Sequence, residues 1–399
     1  VLLFVALLTL IEVRHQWGNR RADAAFNQTV VQAVGNYGAT RKLRVLPLME
    51  YHSATPELLS EVGVSYLVET DDVSILFDVG HNADAVSPSP LEQNIETLGI
   101  DLGGIDLVFI SHNHLDHVGG LHWQRRNTFS LGKEQKPFPN PRAQLVAPAL
   151  MTYPGLSSVH ADRPMALAQG LGTTGLGTTG TIGRQLRVGW IEEHALVVNV
   201  HGLGGILIVG CGHQPVPRLI ERYDAAYTEP LYGIIGGVHF PVPEGRIPLG
   251  PLEVQRDLAS GNGFFDPLTL DQVESELQML KRRNLGIIAV SSHDSSDQVI
   301  ARVKAIFGEA HRYLRVGEAL VIEFNPPRRC RTWNFQLSNY WMESLDYRYH
   351  RISVNAANAV PESDGRVRLV VAHSDPGPDF PNWLTTAGHR SGGMLLRYV

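Results

Sequence analysis

Residues 111–120 read SHNHLDHVGG, directly after the apolar run IDLVFI at 105–110. Three histidines and an aspartate (His112, His114, Asp116, His117) fall within six positions. In an extended segment, residues two apart share a face, so His112 and His114 can reach one ion. A turn after them can swing Asp116 and His117 toward a second. Imidazole and carboxylate suit zinc, iron or manganese, and an open coordination position lets such an ion activate water. Histidine is costly to bury without partners, so packing is a poor explanation for four such groups together. The pattern calls for a fold in which a buried strand ends at a metal site.

The flanking text supplies the strands. KLRVLPLM, VSYLVETD, VSILFDVG and IDLVFISH are short apolar runs broken by turn residues. PLEQNIETLGI (90–100) has helical spacing, and 124–145 reads as loop. Residues 169–183, QGLGTTGLGTTGTIG, repeat GLGTT in tandem. They lack the Lys-Ser/Thr of a phosphate loop and read as a flexible loop. ALVVNVHG and GGILIVGCGH follow as strands. Then come the helix VPRLIERYDAA, the strand LYGIIGGVH and a Pro/Gly-rich loop (241–268). The helix LDQVESELQMLKRR, the strand LGIIAVSSH, the helix SDQVIARVKAIFG and the strand ALVIEF complete the run. Hairpins first, then strands alternating with helices, predict an α/β fold of sheets covered by helices in αββα layers.

The 399-residue chain is 43% hydrophobic and 19% charged, with a net charge of −6. That is a globular composition with room for two domains. No Lys/Arg stripe or nucleic-acid module is present, which argues against a nucleic-acid partner. Cys211 and Cys330 are the only cysteines and read as free thiols. At the other end, VLLFVALLTLI (1–11) is apolar and uninterrupted, but bilayer spanning needs about 20 such residues. Residues 1–15 are expected to be the end of a signal sequence or membrane anchor whose start is missing, followed by a linker helix over 16–42. That would place the protein on a membrane or exported to the periplasmic side. A buried core helix is the alternative and would leave it cytoplasmic. The final run GGMLLRYV looks cut short as well.

HNHLDH fits H-x-H-x-D-H, and the segment resembles the metallo-β-lactamase superfamily. GVSYLVETDDVSILFDVG and LEQNIETLGIDLGGIDLVFISHNHLDHVGGL, with GCGH (210–213), GGVH (236–239) and SSH (291–293), resemble one subgroup more closely. These are the dihydropterin-ribofuranosylaminobenzene-phosphate synthase-like metal-dependent hydrolases. The resemblance spans roughly 43–325 and implies a four-layer αββα sandwich there. It implies that His112 and His114 bind a first metal and that Asp116 and His117 bind a second, with Asp116 also orienting the nucleophile. It makes His293 the last ligand and Asp78 a buttress of the ligand loop.

Two departures stand out. Superfamily members carry a histidine upstream of the GCGH strand and a metal-bridging Asp at the end of that strand; here Cys211 stands near the Asp position. The upstream stretch offers only His194, which ALVVNV follows at once. His194 is therefore expected to face solvent beside Glu192 and Glu193, and His213 to be the missing ligand. Cys211 either ligates as a thiolate or packs as a small apolar residue. His239 is expected to buttress the ligands or touch substrate.

Together these readings predict a metal-dependent hydrolase holding one or two zinc ions, or iron or manganese. Its metal-activated water would attack an ester-type bond, phosphoester or lactone, in a small-molecule substrate. The alternatives are an iron-dependent oxidoreductase or sulfur dioxygenase on the same scaffold, and a non-catalytic metal-binding protein. Residues 330–399, rich in Trp, Tyr and Asn, read as a β-rich partial module. NYWMESLDYR and NWLTTAGH resemble the end of an uncharacterised bacterial family, with His373 and His389 structural.

Overall fold

The computed structural model describes residues 2–167, 175–250, 252–262, 267–307, 320–324, 326, 332–339, 343–372, 376–378, 380–389 and 392–398. The chain divides into two units, Val1–Gly317 and Glu318–Val399.

The first unit opens with helix α1 (Leu2–Gln28). Strands β1 (Arg44–Met49), β2 (Ser65–Glu69), β3 (Ser74–Phe77), β4 (Leu107–Phe109), β5 (Gln144–Ala147) and β6 (Ser157–His160) form one sheet in that order. Its first two pairings are antiparallel and the other three parallel. Helix α2 (Pro90–Leu98) lies between β3 and β4. It starts at a Ser89–Glu92 capping box and stops at Gly99 in the left-handed region, so both its ends are satisfied. A single turn, α3 (Leu121–Gln124), follows the ligand loop.

The second sheet uses β7 (Met165–Ala166), β8 (Leu176–Thr178), β11 (Leu196–Val200), β12 (Gly204–Val209), β13 (Leu231–Gly236) and β16 (Ile287–Val290). Its order is β16-β13-β12-β11-β8-β7, parallel over the first three strands and antiparallel over the rest. Two hairpins interrupt it: β9 (Ile182–Gln185) with β10 (Trp190–Glu193), and β14 (Pro248–Leu249) with β15 (Leu252–Glu253). Helices α4 (Val216–Ala226), α5 (Leu270–Arg282) and α6 (Asp297–Phe307) complete the unit.

Alternation along each strand decides the layering. Tyr66, Val68, Ile75, Phe77, Leu107 and Phe109 meet Leu196, Val198, Ile206 and Ile208 between the sheets. The intervening Leu67, Leu76, Val108 and Leu145 point outward onto Leu91 and Ile95 of α2. On the far side, Val197, Leu207, Val209, Ile234 and Ile288 face Leu219, Tyr223, Val273, Leu277 and Val299 of the three helices. Strands buried on both faces read as continuous apolar runs, which is how they appear in the sequence. The result is the expected αββα sandwich.

Three expectations need correction. The expected boundary between residues 15 and 16 is no break in structure, because one helix runs from Leu2 to Gln28. Its polar residues dock it: Glu12 Oε2 meets Arg187 Nη2 at 3.2 Å in a largely buried pair. Asn19 Nδ2 donates to the carbonyls of Gln185 and Gly261 at 3.0 and 3.3 Å. Among the described residues no helix is long and apolar enough to cross a membrane, which overturns the membrane-anchored reading. The GLGTT tandem is not all loop. Its first copy lies outside the described residues, but the second supplies β8, whose pairing with β11 draws it into the sheet. Finally, the ALVIEF strand β17 (Leu320–Phe324) does not close the first unit.

That strand pairs instead within the second unit, antiparallel to β20 (Val367–Ala372), which pairs in turn with β21 (Trp383–Thr385). A second small sheet joins β18 (Trp333–Asn339), β19 (Ser353–Asn355) and β22 (Gly392–Tyr398). Trp333, Phe335, Val354, Leu369 and Leu384 are among its own core. His389 is exposed there, and His373 and Cys330 lie outside the described residues.

The docked helix generates a test. Glu12→Ala removes the carboxylate paired with the Arg187 guanidinium, which is 3% exposed and keeps its bond to the Asp257 carbonyl. Removing one partner of a buried pair costs about 3–5 kcal/mol. Urea unfolding of the variant is expected to show a loss on the order of 3 kcal/mol, with earlier proteolysis within 2–28. Unchanged stability would mean that the helix contributes nothing to the first unit.

Candidate metal centre

The strands deliver their chemistry at one edge. β3 ends at Asp78, β4 runs into His112–His117, β12 into Cys211–His213, β13 into His239 and β16 into His293. All nine site residues read from the sequence meet there.

The first group is three imidazoles. His112 Nε2 lies 3.1 Å from His114 Nδ1, which lies 3.0 Å from His213 Nε2. Two nitrogens bound tetrahedrally to one zinc at about 2.0–2.1 Å stand roughly 3.3 Å apart, so the spacing fits a shared cation. The second group is Asp116, His117, Cys211 and His293, whose donor atoms all lie within 4.8 Å of one another. Cys211 Sγ sits 3.1 Å from His117 Nε2 and 3.2 Å from His293 Nε2. The thiol also belongs with His112 and His213, so it is common to both groups.

Protonation accords with cation binding. Burial, then the neighbouring imidazoles, hold His112 well below the ordinary histidine range. Burial does the same for His213 and His293. These rings are neutral, with lone pairs to give. Burial alone would also lower His117, but Asp78 and Asp116 raise it to about 9. Burial raises the Cys211 thiol, and the surrounding carboxylates raise it further. A cation is what deprotonates such a thiol. The donor set therefore fits one or two borderline-soft divalent ions.

Three of the ligand rings, His112, His117 and His293, are aimed from behind. Asp78, fully buried, accepts from Ser111 N and Ser111 Oγ at 2.8 and 2.7 Å and pairs with His117 Nδ1 at 2.7 Å. Ser111 Oγ is also 2.9 Å from His112 Nδ1, and Ser291 Oγ contacts His293 Nδ1. Engaging one ring nitrogen in this way fixes the other toward the cluster. His239 sits beside His213, ring centroids 4.5 Å apart, with its Nε2 3.3 Å from the Gln255 carbonyl.

Three carboxylates in this machinery escaped the sequence reading. Glu193, fully buried, accepts from the backbone N–H of Cys211, Gly212 and His213 at 2.8–2.9 Å. Glu50 accepts from Tyr66 Oη, Ser291 Oγ and Ser292 Oγ and from the N–H groups of Ser292 and His293, at 2.5–3.1 Å. Asp294 accepts from His239 N at 2.8 Å. The available signal was position: LPLME and WIEE both put a Glu at the end of an apolar or alternating run.

His194 needs correction too. It belongs to none of the donor groups found among the described residues, and it does not face solvent. It is fully buried, stacks on Phe109 at 4.3 Å, and bonds Thr178 Oγ1 and the Ile110 carbonyl at 2.8 and 2.9 Å. Its own N–H donates to the Ser111 carbonyl at 3.1 Å, tying the second sheet to the root of the ligand loop.

A cavity of about 780 Å³ opens onto the cluster, reaching His114, Asp116, Cys211, His213 and His239. A smaller one, about 220 Å³, lies behind His213 and His239 and is lined by Arg184 and Glu276.

Residues 61–217, which include both HNHLDH and GCGH, match the family model of the metallo-beta-lactamase superfamily. This is a metallo-β-lactamase fold. The chain is 24% identical over 242 residues to 7,8-dihydropterin-6-methyl-4-(beta-D-ribofuranosyl)-aminobenzene-5'-phosphate synthase of Methanocaldococcus jannaschii, covering 51% of this chain and 80% of that one. Among solved structures it is similar to Tm1679, a metal-dependent hydrolase of the beta-lactamase superfamily. That likeness is 17% identical with TM-score 0.45, covering 69% of this chain and 96% of the other. It is also similar to the metallo-beta-lactamase fold protein YhfI from Bacillus subtilis, at 12% identity and TM-score 0.40, over 69% and 97% of the two chains.

Two tests follow for this metallo-β-lactamase fold. His194→Ala removes a buried, hydrogen-bonded ring and is expected to cost about 2–4 kcal/mol in urea unfolding, with metal content kept. His213→Ala is expected to lose metal. The opposite pattern of metal loss would make His194 the ligand. The second test uses pH. Burial raises the Glu276 carboxyl to about 7, with Arg184 holding it back. The folded state thus binds that proton more tightly than the unfolded state, whose carboxyl titrates near 4.5. Glu276 is therefore least unfavourable below 4.5 and destabilises progressively as pH rises to about 7. Glu276→Gln should flatten the stability–pH curve in that window by on the order of 2 kcal/mol. An identical slope in the two proteins would refute the assignment.

Proposed function

We propose that this protein is a metal-dependent hydrolase of an ester-type bond, phosphoester or lactone, in a small molecule. One observation carries the reading: donor groups sharing Cys211 adjoin a cavity, reached by His114, Asp116, Cys211 and His213, that is large enough for a small-molecule ligand. His112, His114 and His213 hold one ion. Asp116, His117 and His293 would hold the other, and Cys211, common to both groups, could join either as a thiolate. Zinc suits this mixture of imidazole, carboxylate and sulfur best, with iron or manganese as the other candidates. A divalent ion there supplies Lewis acidity and a bound water of lowered pKa.

The chain's own residues do the remaining work. The Asp116 carboxylate reaches the cavity and is kept ionised; burial opposes this, but His117, His114 and His293 outweigh it. It orients the attacking water and accepts its proton. His239 lines the same cavity and is held neutral, near 4, chiefly by burial. With its Nε2–H on the Gln255 carbonyl, its Nδ1 has no partner among the described residues and is free to accept from a substrate hydroxyl. Glu193 and Glu50 hold the loops still, so the geometry is set before substrate arrives.

Metal quantification on protein purified without added metal, run with phosphodiester and lactone substrates, tests this. Zinc with hydrolysis is expected; iron with oxygen consumption would replace the reading with an oxidoreductase. Replacing His112 and His114 together by Ala should empty the first site and abolish turnover. Asp116→Asn should lower second-site occupancy and turnover together, by about 10²-fold or more. Full metal content and rate in the double variant would end the hydrolase reading.

A further inference from the structure

The cavity above the donor cluster has an apolar mouth that hydrolysis does not require. Leu150, Val188, Leu121 and Trp190 all line it, yet they are 75%, 58%, 47% and 43% exposed. Large apolar side chains scattered singly over a surface are ordinary, but several gathered around one concavity mark a binding surface. Ile191, Ile247 and Val254 continue the lining inward toward the cluster.

Trp190 is held in place rather than loosely exposed. It opens β10, and its indole Nε1 donates to Glu192 Oε1 at 3.3 Å. Its ring lies against the backbone of Gly183 on the paired strand β9. A methyl group there would sit 2.2 Å from Cζ2, so only glycine permits the approach. Fixed on one side by the hairpin yet 43% exposed, the ring is a preformed platform. Rigid aromatic surfaces of this kind bind flat apolar groups at little entropic cost.

We propose that the substrate carries a flat, ring-bearing apolar arm that stacks on Trp190 between Val188 and Leu150, while its scissile ester group reaches the metal cluster. The occupant is a small molecule rather than a protein surface, because the same cavity that exposes Trp190 also reaches Asp116, Cys211 and His213. At about 780 Å³ it falls within the usual span of small-molecule sites. The proposal rests on the hydrolase reading for the position of the reacting bond, but the platform itself does not.

The test compares 1-naphthylphosphonate with methylphosphonate, whose P–C bonds survive hydrolysis, by calorimetry on zinc-loaded full-length protein. The naphthyl compound is expected to bind about tenfold or more tightly than the methyl compound. Trp190→Ala should bring that ratio close to one, Val188→Asp should reduce it, and Trp190→Phe should keep most of it. A ratio near one in the wild-type protein overturns the platform, as does a ratio that both Trp190→Ala and Val188→Asp leave intact. Should Trp190→Ala fail to fold, the wild-type ratio and Val188→Asp still decide. Metal-free protein separates the two readings. Retention of the naphthyl compound without zinc supports the platform even where the metal assignment fails. Loss of all discrimination with zinc bound removes the platform and leaves the metal centre standing.

Discussion

The centre depends on buried carboxylates that accept hydrogen bonds from strand-end loops. Asp78 holds Ser111 and His117, Glu193 holds residues 211–213, Glu50 holds 291–293, and Asp294 holds His239. Burying a carboxylate costs several kcal/mol unless it is well bonded. Here each accepts charge-assisted bonds, and those from loop N–H groups satisfy donors that would otherwise be orphaned where the sheet hydrogen bonds stop. Burial is the largest influence on all four, and it pushes their carboxyls upward. A divalent cation among these groups would favour the ionised carboxylates that burial opposes. Metal binding at this cluster would thus be coupled to folding.

This arrangement explains which parts were legible in the sequence. The ligands are dense, so HNHLDH and GCGH announce themselves within a few positions. The layers are legible because strands buried on both faces write continuous apolar runs, as in VSILF and GGILIV. The supporting carboxylates are sparse. Glu50 bonds residues more than 240 positions away, and nothing local distinguishes it from a solvated strand-end Glu. Only Asp78 was identified, and that came from family resemblance rather than from its surroundings in the chain.

The EEH segment shows the same limit at single-residue scale. Charge and proximity to a strand start argued for three solvent-facing side chains. In the fold Glu192 bonds the Trp190 indole, Glu193 clamps the Cys211 loop, and His194 inserts between the sheets against Phe109. Strand alternation would have separated Glu192 from Glu193. It could not have revealed that the chain turns inward at His194, because that depends on Thr178 and Ile110 meeting it from two other strands. The N-terminal helix follows the same logic: an apolar opening suggested a bilayer, whereas Glu12 and Asn19 find partners at 187, 185 and 261.

The floor and the mouth of the cavity are built differently, and this separates two properties of the site. The floor residues sit on loops clamped by Asp78, Glu193 and Glu50, so their positions are over-determined and a change there propagates to the metal. The mouth residues are set otherwise: Leu121 opens the single turn α3, and Val188 and Trp190 sit on the β9–β10 hairpin, where the indole bonds Glu192. On the proposed reading, substitution at the mouth would alter which arm is accepted while the donor geometry stays fixed. A scaffold arranged this way could keep one chemistry and vary its substrates through surface loops, since function is carried on loops set by a rigid frame.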